Sequence, residues 1–164
     1  MKRYSGDTRI TLSINGEDRS ILTLPGDTLL RTLRAAGYTG TKIGCENGDC
    51  GACTILVDGL PRKSCCMLTL EAVGHRITTV EGLIDTPVQK AFVAENGLQC
   101  GYCTPGFVVN TTALLGTHPD ADDGTTREWL ESNICRCTGY EGIRRSVGAA
   151  RAMHTGEVRG RDGK

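Results

Sequence analysis

Ile10, Leu12 and Ile14 alternate with polar residues in "RITLSI", a period of two that predicts a strand with one buried face. Asn15-Gly16 is a hairpin signal, and "SILTL" can return as the second strand. Pro25-Gly26-Asp27 breaks that strand. Asp27 or Thr28 can cap a helix whose apolar positions are Leu29, Leu30, Leu33 and Ala36, and Gly37 suits the position just past its end. "TILVDG" reads as a further strand closed by the Asp58-Gly59 turn, with another short strand expected before Cys65. A mixed sheet with one helix packed across it satisfies this pattern.

From about Thr86 the period changes to that of helices. "PVQKAFVAEN" is followed by Gly97, a candidate C′ glycine, and "PGFVVNTTALLG" starts with Pro105 in a first-turn position. "TTREWLESN" carries a capping-box spacing from Thr125 to Glu128, and "EGIRRSVGAARAM" places Ile143, Val147 and Ala150 on one stripe. "GHRITTVEGLIDT" connects the two halves. "GTHPDADDGTT" is acidic, but its acids do not fit the offsets of a calcium loop, so it reads as a solvated turn before a helix. The tail from Thr155, "TGEVRGRDGK", is polar and glycine-rich and is expected to be disordered.

Charge adds little to this picture. Lys plus Arg and Asp plus Glu are equal at 19 each, so no basic excess points to nucleic acid. No apolar run is long enough to span a bilayer, and the N-terminus lacks the apolar core of an export signal, which predicts a cytoplasmic chain. Cysteine changes the picture. Nine cysteines in 164 residues is far above ordinary usage, and an odd count in a cytoplasmic chain favours metal binding over disulfides.

Eight of the nine fall into two groups. Cys45, Cys50, Cys53 and Cys65 are spaced C-x4-C-x2-C-x11-C, whose core is the spacing of a plant-type 2Fe–2S site. Gly44, Gly48 and Gly51 can take positive φ there and let backbone amides approach the sulfurs. Cys100, Cys103, Cys135 and Cys137 form "CGYC" and "CRC", each just before a predicted helix whose N-terminus favours anionic sulfur. Zinc uses similar residues. It suits the x4–x2 spacing poorly and would suit "CxxC…CxC" taken alone; the company of a ferredoxin-type group argues for iron there too. His75, His118 and His154 lie outside both groups and read as surface residues.

"GCENGDCGACTILVDG", "KSC" ending at Cys65, "LQCGYCTPG" and "NICRCTGY" together closely resemble the small iron–sulfur subunit of the molybdenum hydroxylases, the xanthine dehydrogenase, aldehyde oxidoreductase and carbon monoxide dehydrogenase family. The resemblance covers about residues 8 to 153. It implies an α+β chain: an N-terminal β-grasp, plant-type ferredoxin-like domain over 8–83, then an all-α four-helix bundle domain over 84–154. It implies two 2Fe–2S clusters held by the two cysteine groups, and assembly with a medium FAD subunit and a large molybdopterin (molybdenum) subunit as a dimer of heterotrimers. It also implies that Gln99 and Cys137 contact the molybdopterin. Arg136 and Tyr140 lie inside the matching motif without an assigned role.

The function implied is one-electron relay between molybdenum and FAD, with substrate chemistry on another polypeptide. A zinc-stabilised scaffold and a free two-cluster ferredoxin are the alternatives. Of the adjacent pair Cys65-Cys66, Cys65 is expected to be the ligand. Cys66 is expected to point away as a small buried hydrophobe, because neighbours on an extended strand face opposite sides.

Overall fold

The computed structural model describes residues 6–155. β1 (Thr8–Ile14) and β2 (Glu17–Thr23) form the expected antiparallel hairpin, with Ile14 opposite Glu17. Asn15 at φ 53° and Gly16 at φ 84° make its turn, the left-handed pair that matches strand twist. α1 (Leu29–Ala35) is capped by Thr28, whose hydroxyl accepts the Arg31 N–H at 3.4 Å. Leu29, Leu30 and Leu33 are fully buried beneath it. β3 (Thr54–Val57) and β4 (Leu60–Lys63) form a second hairpin.

The segment expected only as a connector supplies the strand that joins the hairpins. β5 (Arg76–Thr78) pairs parallel with β1 and antiparallel with β3, giving the order β2-β1-β5-β3-β4. It was hard to foresee because three residues hold no periodicity; Ile77 alone turns an apolar side chain into the core.

All four residues of β3 are buried, which one-sided packing does not explain. Ile55 and Val57 join the core under α1, while Leu56 points the other way and packs on Val109 and Ala113. Those two belong to α3 (Thr104–Thr117), so the helical half lies directly on the far face of the sheet. Burying side chains such as Leu56 and Val109 contributes about 1.5–3 kcal/mol each. A continuous apolar run such as "TILV" is the mark of a strand covered on both sides.

The other helices are α2 (Pro87–Ala94), α4 (Asp123–Leu130) and α5 (Glu141–Thr155). Phe92, Phe107, Leu114, Ile143 and Val147 fill the core between them. Two helix ends differ from expectation. α2 closes on Asn96 at φ 53°, not on Gly97; the Gly97 N–H reaches the Phe92 carbonyl at 2.9 Å. Gly97 is small for another reason, since a Cβ there would stand 2.3 Å from Ser146 Oγ. α4 starts one turn earlier than the Thr125–Glu128 box implies, because Asp122 accepts the Thr125 N–H at 2.7 Å and takes the cap. The tail expected from Thr155 begins inside the last turn of α5, and its remaining residues lie outside those described. Among the described residues, no helix is long and apolar enough to cross a membrane.

Candidate metal centres

The first group is built on the loop between α1 and β3. Gly48 (φ 92°) and Gly51 (φ 67°) are left-handed, as is Glu46 (φ 56°), and they curl the loop around its sulfurs. Gly44 serves differently: a Cβ there would stand 2.5 Å from Cys50 Sγ. The Cys45 sulfur accepts N–H groups from Cys50 at 3.3 Å and Asn47 at 3.5 Å, and Cys50 Sγ accepts the Cys45 N–H at 3.4 Å. Burial pushes the Cys45 thiol up, but these amide donors outweigh it and hold the thiol down at about 7. Cys53 and Cys65 are buried together against Leu30. Burial, then the Cys53 thiol beside it, pushes Cys65 up to about 12.

The second group divides likewise. Cys137 Sγ lies 3.6 Å from Cys100 Sγ, and both residues are exposed. Cys103 packs against buried Cys135, and burial followed by that neighbour pushes Cys103 up to about 12. Cys103 is the N-cap residue of α3, as expected, yet desolvation there outweighs the helix end. Cys135 moves the other way: burial raises it, but hydrogen bonds from Thr138, including its hydroxyl at 3.2 Å, bring it down overall. Cys137 lies short of α5, so only "CGYC" abuts a helix start.

All nine cysteines are free thiols. The eight come as pairs: Cys45 with Cys50, Cys53 with Cys65, Cys100 with Cys137, Cys103 with Cys135. Among the described residues, no three His, Cys, Asp or Glu side chains gather round one point. Two thiolates on one tetrahedral metal lie about 3.7 Å apart for bonds of ~2.3 Å. The Cys100–Cys137 spacing of 3.6 Å matches that edge. Amide donors aimed at sulfur and buried thiols that resist ionisation without a cation both suit an anionic cluster with positive metal inside.

Several contributors were not legible from cysteine spacing. The Cys50 carbonyl accepts the Ile134 N–H at 2.9 Å, so one hydrogen bond joins a first-group residue to the neighbour of Cys135. Beside it, Asn133 Nδ2 donates to the Gly51 carbonyl at 2.9 Å. The Tyr140 hydroxyl accepts the Cys135 N–H at 3.1 Å, which gives that residue the role the sequence left open. Gln99 is exposed beside the Cys100–Cys137 pair. His75 pairs with Asp58 at 2.6 Å and His118 packs edge-on to Trp129, both away from the thiols.

Comparison with known proteins agrees with this geometry. Residues 12–74 match the 2Fe-2S iron-sulfur cluster binding domain family, and residues 79–148 the 2Fe-2S binding domain family. The small FeS subunit of nicotinate dehydrogenase from Eubacterium barkeri is 43% identical over 143 residues, covering 84% of this chain and 91% of that one. The crystal structure of quinoline 2-oxidoreductase from Pseudomonas putida 86 contains a chain with a TM-score of 0.86 and 42% identity, matched over 94% of this chain and all of that one. Aldehyde oxidoreductase from Megalodesulfovibrio gigas is 38% identical over 154 residues, 89% of this chain but 17% of that protein, so there the same unit is part of a much longer polypeptide. By sequence and by fold, the chain belongs to the small iron–sulfur subunits of the molybdenum hydroxylases, an electron-transfer component with two 2Fe–2S domains.

Proposed function

We propose that Cys45, Cys50, Cys53 and Cys65 hold one 2Fe–2S cluster and Cys100, Cys103, Cys135 and Cys137 the other, each thiol pair serving one iron. When bound, the clusters supply a reversible one-electron change at each site. The chain's residues supply thiolates, amide donors and a fixed separation. In this reading the ferredoxin-like part is a β-grasp domain over 8–83 and the helical part a four-helix bundle over 84–154, in a cytoplasmic dimer of heterotrimers.

The observation that carries the relay is the Ile134 N–H to Cys50 carbonyl bond of 2.9 Å. The first group has a buried pair, Cys53 and Cys65, and the second sets half-buried Cys103 beside buried Cys135; Cys100 and Cys137 face outward with Gln99, and Cys45 faces outward in the other group. Between them run Cys135, which is buried, the half-exposed Ile134 and the backbone of Cys50. We assign the Gln99–Cys137 face to the molybdopterin of a large subunit and the Cys45 face to the FAD of a medium subunit. The substrate is chosen on the large subunit; nicotinate and quinoline in the relatives' names make N-heteroaromatic compounds the first to try.

An affinity tag on this chain tests the assignment. Purification from its native host should retain FAD, molybdenum and two larger polypeptides in equal amounts. Recovery of the chain alone, or with neither cofactor, would overturn it.

A further inference from the structure

Cys66 is the one cysteine that neither group uses. The expectation that it points away from Cys65 is wrong. Ser64–Cys66 is a single 3-10 turn, not extended strand, and successive side chains there stand about 120° apart around the axis rather than on opposite faces. Cys66 Sγ therefore sits 3.6 Å from Cys65 Sγ, and it is exposed, not buried. Both sulfurs lie near Gly48: its backbone amide acts on the Cys65 thiol to lower it, and a Cβ built on Gly48 would stand 2.9 Å from Cys66 Sγ. Gly48 belongs to the loop between Cys45 and Cys50, so the spare thiol lies against the first site itself. At 3.6 Å the two sulfurs are in contact, so a small shift of the turn brings either one to the position the other holds.

We propose that Cys66 is a reserve ligand of the first site, able to replace Cys65 on the same iron. The exchange balances without a redox partner. The Cys66 thiol releases its proton to water, its bond to iron forms, the bond from iron to Cys65 breaks, and Cys65 takes up a proton. The site keeps its charge and oxidation state. The iron edge moves from a buried residue to an exposed one, so a site damaged at Cys65 survives in a more solvent-accessible form.

The inference rests on the first site holding a 2Fe–2S cluster. Its test uses the full-length chain as wild type, Cys65→Ala, Cys66→Ala and the double variant, plus Cys65→Ser with and without Cys66→Ala. Iron content, the reduced-state paramagnetic resonance spectrum and mass-spectrometric mapping of alkylated thiols are read, with the helical-side signal as the folding control. Cys66→Ala should match wild type at about four irons per chain, two for each cluster. Cys65→Ala should keep most of that iron with an altered first-site signal, and Cys66, alkylated in wild type, should become protected. The double variant should fall to about half the iron. If Cys65→Ala does not fold, the serine pair decides: Cys65→Ser alone should keep a thiolate-type spectrum that Cys66→Ala then removes. Equal iron loss in Cys65→Ala and the double variant, or identical spectra in the serine pair, overturns the reserve role. Wild type lacking iron would instead overturn the site assignment.

Discussion

Gly106→Ala inverts an ordinary rule. Glycine to alanine within a helix is normally stabilising, by up to about 1 kcal/mol. Gly106 lies in the first turn of α3, three residues after Cys103, and is buried where that helix meets the first loop. An alanine Cβ there would stand 2.3 Å from the Gly51 carbonyl oxygen and 2.9 Å from Asn133 Nδ2, well under the 3.0 Å that real Cβ atoms keep. The obstruction is backbone, and that carbonyl is already held by Thr54 and Asn133, so it cannot swing aside cheaply. The helix must back off by about 0.7 Å, and overpacking of this kind costs about 1–3 kcal/mol. Subtracting the propensity gain leaves a net loss of up to about 2 kcal/mol, or up to roughly 8 °C in the midpoint for a chain of this size. Gly148→Ala is the control: Gly148 lies inside α5 with nothing within 4 Å of the added Cβ, and should show the ordinary gain. The assay is thermal loss of visible circular dichroism at one scan rate, with resonance spectra of both reduced clusters. Because Gly51 lies between Cys50 and Cys53, both signals should shift in Gly106→Ala. A gain equal to that of Gly148→Ala, with unchanged spectra, would refute the close approach of α3 to the first loop.

Tyr140→Phe keeps the edge contact with Phe107 but strips the acceptor from the Cys135 N–H, which should cost about 1–3 kcal/mol and shift only the second cluster's spectrum; an unchanged second signal would count against that role. Gln99→Ala, at an exposed site, should leave both clusters and the melting midpoint as they are while altering the molybdenum signal of the assembled complex. Unaltered molybdenum signals and turnover would remove Gln99 from the pterin contact. Asp122→Ala should lower the midpoint while Glu128→Ala does not, since Asp122 holds the cap. The Thr125 amide and hydroxyl hold the Asp122 carboxyl below its ordinary 3.8, so its stabilisation is present above that value and is lost as pH falls through the lower folded value. Equal midpoint changes in the alanine variants would return the cap to Thr125 and Glu128.

The hairpin of β1 and β2, the course of α1 and the grouping of the thiols were legible because each rests on local signals: alternation, Asn-Gly, a capping threonine, cysteine spacing. β5 was not, since a three-residue strand in the middle of a sheet is defined by its neighbours and not by its own pattern. Cys66 was misjudged for a related reason. Alternation holds only in extended chain, and the backbone leaves that state at Ser64. The contacts of Asn133, Ile134 and Gly106 with the first loop join residues 50 or more positions apart, which no window of sequence reports. The Thr138–Gly139–Tyr140 turn had a visible clue in its glycine, but the left-handed φ of 67° at Tyr140, which aims the ring at Phe107 and the hydroxyl at Cys135, comes from packing.

Two paired-thiol iron sites on one chain have a composition that can be counted. Iron, zinc and acid-labile sulfide should be quantified on the anaerobically purified full-length protein, and resonance spectra recorded after chemical reduction. About four irons and about four sulfides per chain, with two distinct one-electron signals, are required by this assignment. Stoichiometric zinc with little iron or sulfide would contradict it.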